Sequence, residues 1–181
     1  MADSALIQSL IPAASGLLGT IIGGCISYWA QVGQVNAQQK RRRKMIALSL
    51  AAEMEAYLDL MKRREHAKNA GVIAALLRAG QNVQLRGFAQ PDDTPLGQFP
   101  LFVRLMDEIG ELGPICADVA KFHTLIAGVR TTTIAAERGQ FDNLDPPAKA
   151  NLIESEVAVW ETALSIGEAL IPRLRKIAAE G

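Results

Sequence analysis

Between Asp3 and Lys40 the chain carries no charged residue, and "KRRRK" (residues 40–44) then brings five cations at once. No other feature of the 181 residues restricts the fold as strongly. As a helix, residues 12–31 span about 30 Å, the hydrocarbon thickness of a bilayer. Pro12 suits a first helical turn. Tyr28 and Trp29 stand where interfacial aromatic rings are expected. A core helix of a soluble protein rarely has so long an uncharged approach. A cleaved signal peptide would want positive charge ahead of the apolar run, where the only charged side chain is Asp3. With its cations on the C-terminal side, the positive-inside rule places the N-terminus outside and the rest in the cytoplasm. The expected organisation is a single-pass, N-out transmembrane segment over residues 1–35 and a cytosolic α-helical bundle over residues 36–181. Lys40, Arg41, Arg42, Arg43 and Lys44 are expected at the membrane surface, each contributing about 1 kcal/mol against anionic headgroups.

The span is poor in leucine and rich in glycine, which a plain anchor does not require. With Thr20 as the reference, Ser9, Ala13, Gly16, Gly24, Ser27, Gln31, Gln34 and Gln38 all fall within about 40° on a helical wheel. Every residue of that stripe is small or polar. Beside it, Ser15, Gly19, Gly23 and Ser27 recur at every fourth position, a glycine-zipper spacing that lets helix backbones approach closely in lipid. The opposite side carries Leu18, Ile22, Cys25 and Trp29. These faces predict a homo-oligomer, with Ser15, Gly19 and Gly23 packing helices together. If four or more copies close a ring, the stripe from Ser9 to Gln38, Ala13, Gly16, Thr20, Gly24, Ser27, Gln31 and Gln34 included, lines a pore. A dry dimer seam, its hydroxyls bonded to their own helix, is the plainer use of the same stripe.

Charge is uneven beyond the span. Residues 40–70 hold nine Lys/Arg against four Asp/Glu, whereas residues 71–181 hold ten against fourteen. From residue 36 to about residue 69 apolar residues recur at helical spacing, with Ile46, Leu50, Met54, Tyr57, Leu58 and Met61 on one face. Gly71 is expected to end this helix and residues 72–85 to form a second. Residues 87–100 collect proline, glycine and aspartate and read as a loop. A short helix follows, stopped by Gly113 and Pro114. Then comes a long one with Ile115, Val119, Phe122, Ile126, Val129 and Ile134 inward, closed by Gly139. Asp145 is expected to cap the last helix, which carries Leu152, Ile153, Val157, Trp160, Leu164, Ile171 and Leu174 and kinks at Pro172. No segment alternates with the period of a strand. The expected fold class is all-α: one N-terminal transmembrane helix continuing into a cytosolic bundle of four or five helices.

Catalytic signals are sparse. Phosphate-binding glycine loops, nucleophile elbows and paired-cysteine motifs are absent from the sequence. Cys25 and Cys116 read as reduced thiols. His66 lies in a basic surface run, and His123 reads as a structural residue on a bundle face. Helical ribonuclease domains that pair an arginine with a following histidine find no counterpart here, because residues 59–61 and 116–118 contain no arginine. The acidic pairs Asp92/Asp93, Asp107/Glu108 and Asp142/Asp145 suit turns and caps better than a cation. The expectation is no enzyme, no catalytic residue, no metal and no cofactor. Two donor clusters remain. Lys62, Arg63, Arg64 and Lys68 offer positive charge for a nucleotide or oligonucleotide, and "RTTT" (residues 130–133) offers donors for a phosphate.

An N-out span "GLLGTIIGGCISYW", a "KRRRK" stop and a helical cytosolic domain resemble small bacterial single-span membrane proteins. Some of these are pore-forming effectors of anti-phage defence. The detailed resemblance covers residues 12–44; beyond them it is one of organisation. It implies a homo-oligomeric inner-membrane channel, gated through its cytosolic domain by a nucleotide, an oligonucleotide or a protein partner. The alternative is a membrane-tethered scaffold whose helical domain recruits another protein.

Overall fold

The computed structural model describes the backbone of residues 2–86, 94 and 96–180, and side chains from Ser27 onward. Ser9, Ala13, Ser15, Gly16, Gly19, Thr20, Gly23 and Gly24, the upper part of the expected stripe and zipper, therefore lie outside the described side chains, as do Asp92 and Asp93. The chain is all-α: α1 (Ala2–Arg63), α2 (His66–Arg78), α3 (Pro100–Leu105), a 3-10 stretch (Met106–Ile115), α4 (Cys116–Glu137) and α5 (Pro146–Glu180). It divides into two units, Met1–Arg42 and Arg43–Gly181.

In the first unit, every described side chain of residues 27–42 is exposed except the half-buried Val32. Tyr28 is 65% exposed, Trp29 73% and Val35 59%.

The second unit begins where α1 acquires a buried face. Residues 34–70 contain no glycine or proline to interrupt a helix. Ile46, Leu50, Met54, Tyr57, Leu58 and Met61 are all buried, as their spacing predicts, together with Ala47 and Ala51. Removing each large side chain from water contributes about 1.5–3 kcal/mol. This face packs into one core with Phe99, Phe102, Leu112, Val119, Phe122, Ile126, Leu170 and Leu174. A second, smaller core gathers Leu77, Leu85, Ala136 and Ala150, with Ile73, Phe141 and Ile153 against it.

The break between α1 and α2 falls at residues 64–65 rather than at Gly71. Glu65 adopts φ 49° and ψ 37°, a left-handed conformation that is uncommon without glycine. Asn69 holds the turn: its N–H donates to the Glu65 carbonyl (2.9 Å) and its Nδ2 to the Arg64 carbonyl (3.1 Å). Gly71 lies inside α2 with nothing near the place a Cβ would occupy, and a helix tolerates such a glycine at a cost of about 1 kcal/mol.

Gly80 (φ 80°) and Gly139 (φ 73°) close α2 and α4 by the same device. The N–H of Gln81 reaches back to Leu76 and that of Gln140 to Ala135, both at 3.1 Å, in a left-handed cap that glycine permits without a Cβ clash. Glu53 of α1 caps α3 through both carboxylate oxygens, 2.7 Å from the N–H of Leu101 and 2.9 Å from that of Phe102. At the start of α5, Asp145 Oδ1 accepts from the N–H of Ala148 at 2.8 Å, the expected cap. The helix continues past Pro172 to Glu180.

The expected inward face of α4 is buried throughout, but α5 differs. Leu174 is buried, and Leu152, Ile153, Val157, Trp160, Leu164 and Ile171 are half-buried, with Trp160, Leu164 and Ile171 packed against the main core and Ile153 against the second. The buried stripe is Ala150, Ala163, Gly167, Leu170, Leu174 and Ala178. The approach is closest at Gly167, where a Cβ would stand 2.8 Å from Cε2 of Phe122 and 3.2 Å from Cδ1 of Leu58.

One described stretch, Pro100–Glu137, is long and apolar enough to cross a membrane by length and composition. Its apolarity serves the bundle. It is broken at Gly113 (φ 68°, ψ −141°) and Pro114, and Phe102, Leu112, Val119, Phe122 and Ile126 lie in the shared core.

Candidate functional site

A cavity of about 410 Å³ opens within the bundle, lined from both cores. Tyr57 and Met61 come from α1, Ala70 and Ile73 from α2, Val129, Arg130, Thr132, Thr133 and Ala136 from α4, and Ile153, Glu156, Val157 and Trp160 from α5. Arg64 and His66 flank the α1–α2 turn, and Leu85, Gln98 and Phe141 complete the walls. Most of this surface is apolar, with polar side chains among the lining, the usual make-up of a small-molecule site.

The α1–α2 turn decides what faces the cavity. Because α1 stops at Arg63, His66 becomes the first residue of α2, and its ring stacks on Trp160 of α5 with centroids 5.2 Å apart. His66 Nε2 is buried and has no hydrogen-bond partner. This corrects the reading of His66 as part of a solvated basic surface. Burial holds its pKa below the ordinary imidazole value, and the charges of Arg64 and Arg130 push it down further. Both guanidiniums are therefore felt at one end of the cavity. Tyr57 is pushed up to about 12 by its burial, which the Arg130 charge opposes. The phenol stays protonated at neutral pH.

Two clusters singled out separately in the sequence thus meet here in part. Of the first, Arg64 lines the cavity, whereas Lys62 pairs with Glu168 (2.7 Å) and Lys68 with Glu65 (2.8 Å), and Arg63 is exposed elsewhere on the surface. Of the second, Arg130 contributes its charge, but the threonine hydroxyls are committed. Thr131 donates to the Ala127 carbonyl (2.8 Å), Thr133 to that of Val129 (2.9 Å) and Thr132 to Glu156 Oε1 (2.9 Å). The run is not a set of open donors for a phosphate.

His123 is away from the cavity, buried in the main core and stacked on Phe102 with centroids 3.7 Å apart. Its Nδ1 pairs with the Val119 carbonyl at 2.8 Å. Burial lowers its pKa to about 4, against the partial support of that bond. The side chain is thus a neutral part of the core. Among the described residues no group of three or more His, Cys, Asp or Glu could hold a metal. Asp142 accepts from Arg86, and Asp145 is the α5 cap. Cys116 is a half-buried free thiol.

On α1, Ser27, Gln31, Gln34 and Gln38 are exposed, as are Lys40, Arg41, Arg42, Arg43 and Lys44. Arg43 Nη2 donates to the Leu112 carbonyl at 3.5 Å. No local pattern announces that Asn69, Gln98, Glu156 and Trp160 share a cavity, since they come from three separate segments and none lies in a motif. No known protein family matches the chain, and no curated protein or solved structure is significantly similar to it.

Proposed function

We propose that the chain is a homo-oligomeric channel of the bacterial inner membrane, anchored by residues 12–31 with the N-terminus outside and gated through the helical bundle. The observation that carries this reading is the bare stretch of α1. Residues 27–45 have almost no cover within the chain, yet they include Tyr28 and Trp29 followed by five cations. A helix without tertiary cover is marginal in water, and aromatic rings next to basic residues suit a bilayer boundary. The uncovered Gln31, Gln34 and Gln38 favour contact with water or with other copies over contact with lipid. Ser15, Gly19 and Gly23 supply the close packing, and the stripe around Thr20 lines the pore. A gating partner, whether nucleotide, oligonucleotide or protein, acts only by binding open and closed states unequally. Opening depolarises the membrane, an output that suits an antiviral effector.

The test is native mass of the full-length protein in nanodiscs, followed by ion flux in liposomes. Four or more copies, with flux abolished by Thr20→Leu and by Gly23→Leu, is the expected result. A dimer leaves no room for a lumen and turns the reading to the tethered scaffold.

A further inference from the structure

We propose that the cavity between α1, α2, α4 and α5 binds a small amphipathic monoanion: a carboxylate on an apolar or aromatic body of about ten carbons. The inference rests on the bundle alone and is independent of the channel reading.

Size, charge and donor set each narrow the ligand. About 410 Å³ is room for roughly fourteen waters at liquid density, comparable to a fused two-ring aromatic acid. Arg64 and Arg130 against Glu156 leave one net positive charge on the lining, with His66 neutral at pH 7. A cation would meet two guanidiniums. A phosphate dianion would carry one negative charge more than the lining balances, and the threonine hydroxyls that might have helped are already bonded. A single carboxylate matches the charge. Its oxygen also suits His66 Nε2, which in the Nε2–H tautomer is a buried donor with no acceptor. The mutually stacked His66 and Trp160 are both on the lining, with Ile73 and Ile153 also there for the apolar body. Arg64 is exposed as well as lining, so the charged end of the ligand can be reached from solvent.

The experiment is equilibrium dialysis of the full-length protein in nanodiscs, with empty nanodiscs as baseline. The probes are 2-naphthoate, its neutral amide and the matching 2-naphthylmethylamine. The acid should bind once per chain, at least about tenfold more tightly than amide or amine. Arg64→Gln, at an exposed position, should weaken the acid about tenfold and leave the amide unchanged. Ala70→Trp, which fills the cavity, should abolish binding of the acid while the thermal midpoint stays within a few degrees of the parent's. Should Ala70→Trp fail to fold, Arg64→Gln decides. Acid and amide binding alike, acid unaffected by Arg64→Gln, acid retained by a folded Ala70→Trp, or no acid above baseline each overturns the proposal.

Discussion

Residues 27–45 and residues 46–61 belong to one helix, and they owe their helicity to different things. The second stretch buries eight side chains in a core shared with α3, α4 and α5. The first has only Val32 half-covered and leaves two aromatic rings in the open. Both are free of proline and dominated by good helix formers, and Gly33 lowers the propensity of the first by only about 1 kcal/mol. Cover, then, is the variable. Stability of the second stretch is a property of the chain, whereas the first depends on what surrounds it.

The strongest way to break this comparison is a matched pair of truncations. Leu50→Ala, at a fully buried site, should cost about 2–5 kcal/mol in urea unfolding followed by near-ultraviolet dichroism. Val35→Ala, on the bare stretch, should change the same transition by less than about 0.5 kcal/mol. Similar costs at both positions would mean that residues 27–45 are covered after all.

Protonation sharpens the comparison from the covered side. An unfolded histidine titrates near 6.5, and buried His123 near 4. Between those values the unfolded chain binds more protons, so the contribution is complete above about pH 6.5 and is lost as pH falls toward 4. The total is about 3 kcal/mol. Unfolding midpoints measured from pH 7 to pH 4 should fall accordingly, and His123→Phe should flatten the slope.

A smaller effect is expected where α5 meets α4. Gly167→Ala gains about 1 kcal/mol of helix propensity but drives a Cβ to 2.8 Å from the buried Phe122 ring. Overpacking of this kind costs about 1–3 kcal/mol, so a net loss of about 1 kcal/mol is expected by thermal unfolding. A gain would show that the α4–α5 contact yields.

Periodicity was a sound guide on α1 and α4. The faces of α1 and α4 emerge residue for residue as their spacing predicts. On α5 it picked out mostly residues at the rim of the cores, while the most buried positions include small ones, among them Gly167, where Phe122 and Leu58 leave no room for a side chain. Hydrophobicity counts apolar letters, while packing counts volume. Likewise Gly71 marks the weakest helix former near the α1–α2 break, yet the chain turns at Glu65, held by Asn69 bonds that no local pattern announces. The cavity was legible only as fragments. Arg64 and the run at residues 130–133 stood out for charge and donors, but their meeting depends on where α1 stops, and His66 changed character for the same reason.

That run carries a further consequence. A hydropathy scale scores three consecutive threonines as polar, but a hydroxyl whose proton is already given to a carbonyl or carboxylate keeps only its oxygen lone pairs for a visitor. Thr132 and Thr133 therefore meet the cavity as acceptors and not as donors. Seen from inside, the run supplies one cation and no spare hydroxyl proton, a narrower repertoire than its spelling suggests.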